Sequence, residues 1–234
     1  FSSAGDIGLF SSAMKIVFLL LLVDRLFNGL FLPVVTRYIT SQADEVGRLV
    51  QTTMKVLSAL IIPLAIAGTI LGGDVIAIAF GERYEGAVPL LDILIGYFAL
   101  TVLNSVFVCV LIGSGREKEY TRMVSWGSVV LCIAVVAGTA LFGVHGAAYA
   151  VVLGELVTVT LMMRETRKAI AVSLTTILVR PLVAGACMIG TAFFFREMNP
   201  LALTAISFLV FAVVIVLLKG FSARELRFLR EKFV

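Results

Sequence analysis

The feature that most limits this chain is the length of its apolar runs. Seven segments, at about 9–38, 45–72, 86–113, 119–142, 145–167, 173–195 and 200–219, are each long enough to cross roughly 30 Å of hydrocarbon at ~1.5 Å per helical residue. Inside lipid every backbone N–H and C=O must be paired within the protein, which leaves helices or a closed barrel. The two-residue alternation of barrel strands is absent. Ala, Gly, Leu and Val fill the runs instead, and small residues suit close helix–helix approach in lipid. The chain of 234 residues is 60% hydrophobic and 15% charged, with a mean hydropathy of +1.09. An ordinary soluble domain is roughly 45–50% apolar. An all-α polytopic membrane protein is expected, with a transmembrane bundle over 1–220 and a short tail over 221–234. Pro33 and Pro63 should kink the first two helices without ending them.

Short loops make consecutive helices antiparallel neighbours. The basic residues then sort by side. On the side reached after the first helix lie Arg37, Arg48, Arg116, Lys118, Arg122, Arg164, Arg167 and Lys168, with the tail's Lys219, Arg224, Arg227, Arg230 and Lys232. The opposite side holds Arg83 and Arg196, with Lys15 near it. By the positive-inside rule the first side is cytoplasmic. The first helix therefore runs inward, and the C-terminus is cytoplasmic. The tail, SARELRFLREKFV, carries a Ser222–Glu225 capping box and separate apolar and arginine faces. It is expected to lie on the anionic inner leaflet. The chain opens without Met, basic n-region or cleavage site, so it is expected to start inside a longer protein.

Against this apolar background a few polar residues stand out. The first segment contains VDRLFNG, placing Asp24 and Arg25 near mid-depth with Asn28 one turn on. A charge at the bilayer centre costs about 2.5–3.5 kcal/mol on insertion scales, so such groups face a bundle interior or a wet cavity. Arg25 is the candidate for an anionic group, because its fork of donors suits phosphate. Asp24 would steady it or carry a coupling proton or cation, and Asn28 could bridge the pair. The other reading of Asp24 and Arg25 is an ion pair to a neighbouring helix. Lys15, about three turns nearer the outer surface, lines the same cavity or snorkels. Glu155, at mid-depth in the fifth segment, is a second candidate for ion coupling or a structural pair. Asn104 reads as a helix–helix hydrogen bond, and Arg180 as a snorkelling residue.

Several chemistries lack their residues. Cys109, Cys132 and Cys187 share no metal-type spacing and read as small core residues. His145 is the sole histidine. There is no Walker loop, no H-x-x-x-H and no Ser/His/Asp set, and GSGREKEY is a turn because it lacks GK[ST]. No cofactor, metal or nucleic acid is expected, and a transporter is favoured over an enzyme.

A set of strings then carries a resemblance. GDIGLFSSAMKI and LFLPVVTRYI resemble the start and cytoplasmic end of the eighth helix of polysaccharide flippases. IPLAIAGTILGGDVIAIAFGERYEGAVPLLDIL resembles the ninth helix, its outer loop and the start of the tenth. LIGSGREKEYTRM resembles the cytoplasmic turn after the tenth, and FGVHGAAYAVVLGELV the start of the twelfth. In order and spacing they cover nearly the whole chain. The family is the multidrug/oligosaccharidyl-lipid/polysaccharide exporter superfamily, in its O-antigen and exopolysaccharide branch. The resemblance implies seven helices, the eighth to the fourteenth, forming most of the C-terminal lobe of a two-lobed flippase whose N-terminal lobe is missing here.

What the resemblance implies about function is also specific. The family moves polyprenyl-pyrophosphate-linked glycans across the inner membrane by alternating access. Cavity cations on the eighth helix are implicated in binding the pyrophosphate, which carries over to Arg25 and, with it, Lys15. Asp24 and Glu155 match no family motif and rest on the reading of the residues alone. The alternatives are a multidrug or cation extruder of the same superfamily, or a non-transporting membrane subunit.

Overall fold

The structure, a computed structural model, describes residues 4–41, 43–170 and 174–218. The described residues form helices joined by tight turns. In chain order these are α1 (Ala4–Leu20), α2 (Leu22–Ser41), α3 (Ala43–Ile70), α4 (Gly72–Phe80), a 3-10 turn (Glu82–Ala87), α5 (Val88–Gly113), α6 (Glu117–Ala169), α7 (Leu174–Phe194) and α8 (Pro200–Leu217). The expected amphipathic tail, with Ser222 and Glu225, lies outside the described residues. Among the described residues, six stretches are long and apolar enough to cross a membrane. One of them, within α6, folds back on itself at Gly143, where φ is 59° and ψ −140°. The described residues therefore make seven passes, and the chain is an all-α polytopic membrane protein.

The first pass combines α1 and α2. It is interrupted at Leu21, upstream of Pro33, which sits inside continuous helix, as does Pro63 in α3. The hydrogen-bond ladder continues across Leu21: its N–H donates to Val17 O at 2.9 Å, and Arg25 N–H donates to Leu21 O at 3.2 Å. The break is therefore a local loosening one turn before the charged pair.

Packing centres on α5. Its buried side chains include Leu90, Leu94, Phe98, Val102, Val106 and Val110, and it touches α1, α2, α3 and α6. The main core gathers round it, joining Val17 of α1, Phe31 and Val35 of α2, and Leu49 and Met54 of α3. The ends of α2 and α5 lie together: a Cβ added to Gly113 would meet Thr36 Oγ1 at 3.0 Å. Outside this body, α7 and α8 form a pair that leans on α3. Its own small core is Ala184, Met188, Phe211 and Ile215.

The two arms of α6, 117–142 and 144–169, press together through glycine. A Cβ on Gly146 would lie 1.9 Å from Gly138 O, and one on Gly154 would lie 2.9 Å from Leu131 Cβ. Two helices that touch backbone to backbone gain dispersion contacts that lipid tails cannot match. At the far end of the hairpin the connection is ionic. Arg116, in the α5–α6 turn, meets Glu165 Oε1 with its Nη2 at 2.5 Å, and Lys168 Nζ meets Glu165 Oε2 at 2.8 Å. Glu165 is buried, so both of its oxygens are neutralised by cations rather than by water.

Two outcomes follow from this packing. Gly146→Val should abolish accumulation of folded protein in the membrane, because the clash is with backbone and cannot be relieved by a rotamer change. Wild-type amounts by membrane fractionation would contradict the backbone contact. Glu165→Ala should lower stability in detergent by about 1–3 kcal/mol, since it strips Arg116 and Lys168 of their common anion. The check is a fall in the thermal unfolding midpoint.

Candidate functional site

The embedded polar residues gather at α5, on two of its sides. On the α2 side, Asp24, Asn28 and Ser105 form a closed ring. The Ser105 hydroxyl donates to Asp24 Oδ1. The Asn28 amide donates to Asp24 Oδ2 at 3.0 Å and to Ser105 Oγ at 3.1 Å. The same amide nitrogen lies 2.9 Å from the Asp24 backbone oxygen. Cys109, one turn beyond Ser105, donates its thiol to Asn28 Oδ1 at 3.2 Å. Both oxygens of Asp24 and both ends of the Asn28 amide are therefore used. The ring is possible because Asp24 and Asn28 are four residues apart, as are Ser105 and Cys109, so each pair shares one helix face.

On the α6 side, Asn104 Nδ2 donates to Glu155 Oε1 at 3.1 Å, the helix-to-helix bond expected of Asn104. The Thr101 hydroxyl stands beside the same carboxylate. Asn104 is 7% exposed, and its Oδ1 meets no donor among the described residues. Glu155 borders a cavity of about 420 Å³ between α1, α5 and α6, lined also by Phe18, Tyr97, Tyr120 and Ser128. Among the described residues, no salt bridge includes the Asp24 or the Glu155 carboxylate.

Arg25 has a different setting. It is exposed on α2, on the strip that also presents Leu22, Leu26 and Leu30. It forms no ion pair among the described residues, although Asp24 is its chain neighbour and attracts it. The opposite strip of α2, with Phe31, Val35 and Tyr38, is buried against the core. A guanidinium on an otherwise leucine-rich strip would face about 2.5–3.5 kcal/mol of insertion cost in plain hydrocarbon. That strip is therefore suited to a water-filled or protein-covered space.

Of the five candidate site residues named from the sequence, Asp24 and Asn28 are brought together, while Glu155 stands across α5. Asn28 reaches α5 and leaves Arg25 alone, unlike the bridge its spacing allowed. Lys15, exposed on α1, sits with its Nζ 5.9 Å from the centre of the Phe80 ring of α4, a cation–π distance. Ser105 and Cys109 were not foreseen. A serine and a cysteine in an apolar helix look like small packing residues, and only their partners on α2 give them a role.

No family model matches the chain, and no curated protein matches it. Among solved structures it is similar to one titled "Lipid II flippase MurJ, inward closed conformation", with 16% identity and a TM-score of 0.74. The likeness covers 94% of this chain and 48% of that one, so the chain spans about half the length of that structure. At this identity the likeness is one of fold: this chain has the polytopic helical fold found in that structure.

Proposed function

We propose that this chain is the C-terminal part of a flippase that moves a polyprenyl-pyrophosphate-linked oligosaccharide across the inner membrane for cell-surface polysaccharide synthesis. The observation that carries the reading is Arg25, a guanidinium exposed on α2 within the first apolar stretch and in no ion pair among the described residues. A pyrophosphate presents several oxygens in fixed geometry, and a guanidinium answers with several donors in a plane. The charged headgroup enters a wet cavity bordered by the Arg25 strip of α2, and the prenyl tail stays in the bilayer. An N-terminal lobe, the partner proposed for this chain, forms the other wall. Alternation of the two lobes carries the headgroup outward. Lys15 lies nearer the outer end of the path. The C-terminus is cytoplasmic. No covalent chemistry is involved, and the protein acts as a transporter.

Asp24 and Glu155 take different parts. Asp24 is held by two side-chain partners, Ser105 and Asn28, and serves structure first. Glu155, beside a cavity and an unsatisfied Asn104 oxygen, is the better placed to bind a coupling proton or cation. The same cavity supports a second reading. A carboxylate near Tyr97 and Tyr120 has the chemistry of a site for a small organic cation, which is what a multidrug or cation extruder of this fold would need.

Arg25→Ala, in the protein as the cell makes it, should reduce surface polysaccharide by at least about tenfold at equal protein level, the loss of one charge-assisted contact. Arg25→Lys should recover only part, because a point charge replaces a fork. Unchanged display in Arg25→Ala would refute the role of Arg25. Glu155→Gln should leave protein level intact, since Gln can still accept from Asn104, and should slow export. Raised drug susceptibility with intact polysaccharide in a deletion strain would favour the extruder instead.

A further inference from the structure

We infer that Ser105 is a positioning residue that sets the anion selectivity of the α2 strip, by holding Asp24 on α5 and away from Arg25. The inference rests on the reading of Arg25 as the pyrophosphate contact and extends it to a residue on another helix. Its basis is geometric. Asp24 and Arg25 are adjacent on α2 and point about 100° apart, so they do not face each other, but a guanidinium on a long flexible stem can swing back to a carboxylate that nothing else holds. In this protein it does not: among the described residues Arg25 has no ion pair. Instead one oxygen of Asp24 accepts from the Ser105 hydroxyl and the other from the Asn28 amide. Asn28 is held in turn by Ser105 and by Cys109.

The consequence is a separation of charge. Three side chains from two helices, Ser105 and Asn28 directly and Cys109 through Asn28, fix the carboxylate against α5, while the guanidinium stays exposed on the other strip of α2. A ligand arriving at Arg25 meets a cation whose nearest anion is already occupied. Remove the Ser105 hydroxyl and one Asp24 oxygen loses its donor. Asp24 then turns toward the nearest cation, Arg25, and places a negative charge where the incoming phosphate oxygens must sit. A strip selective for a multiply charged anion becomes close to neutral. Ser105 touches no substrate in this account and acts only through Asp24.

The test uses the whole transporter, purified in detergent, and a short-chain prenyl pyrophosphate as the probe. Ser105→Ala should weaken binding by about tenfold, since a unit charge a few ångströms from the phosphate is worth that much even with strong screening. Ser105→Thr keeps the hydroxyl and should bind within about twofold of wild type. The decisive arm is Asp24→Asn combined with Ser105→Ala. It removes the competing charge and should restore binding to within about twofold of wild type. Affinity is compared at equal amounts of folded protein, because removing both partners of the Ser105–Asp24 bond also relieves a structural lesion; a purely structural serine changes the folded amount and leaves the affinity of the folded fraction at wild type. The inference is overturned if Ser105→Ala binds as wild type, or if the double variant is as weak as Ser105→Ala alone. An Arg25→Ala arm separates the two levels. If it binds normally, the reading of Arg25 itself falls; if it loses binding while Ser105→Ala does not, only the role of Ser105 falls.

Discussion

A carboxylate inside hydrocarbon must find donors, and in this protein one helix supplies them to two carboxylates. α5 is the most enclosed element of the fold, packed against α1, α2, α3 and α6. Its one polar stretch offers Ser105 to Asp24 and Asn104 to Glu155. The polar contacts are what register α2 and the second arm of α6 against α5. Apolar packing between lipid-embedded helices is degenerate, because lipid is as apolar as leucine, so a few hydrogen bonds at fixed heights decide which surfaces meet. The glycine contacts of the α6 hairpin do the same work by shape.

That arrangement explains how Asp24 and Arg25 can be neighbours without forming a pair. Paired, they would be a structural element with no vacant charge. Held apart, they give α2 two dissimilar strips. One is neutralised and packed on α5, the other carries an exposed cation. The interruption of the first pass at Leu21 lies one turn before this point, so the strip bearing Arg25 begins where α1 and α2 part. The cavity beside Glu155 lies on the other side of α5. In the proposed function, substrate contact belongs to α2 and ion coupling to the second arm of α6, the two helices whose carboxylates α5 holds.

The sequence made the membrane passes legible because apolar length and the position of basic residues are one-dimensional properties. The reversal between the fifth and fourth segments was readable from FGVHGAA, where Gly143 takes a backbone conformation that side chains avoid. The identity of the embedded polar residues was readable too, since charge in an apolar run stands out whatever the fold. Their partners were not. Asn28 finds Ser105 at a separation of 77 residues, and Asp24 finds it at 81. Helical spacing speaks only of neighbours on the same helix, which is why it offered Asn28 as a bridge to Arg25. Glu165 was hidden for a different reason. In RETRK it looks like one more solvated charge, and only the return of α6 to the α5–α6 turn buries it beside Arg116.

The central claim is that the Arg25 strip of α2 borders water and substrate rather than lipid. The most direct measurement is thiol labelling of Arg25→Cys in the whole protein, with the native cysteines replaced by alanine. A membrane-impermeant, water-soluble maleimide should label position 25, and in Leu26→Cys, which keeps Arg25 on the same exposed strip, accumulation of the lipid-linked glycan should protect position 26. Absence of labelling by the water-soluble reagent, together with ready labelling by a hydrophobic one, would place the strip in lipid and contradict the account.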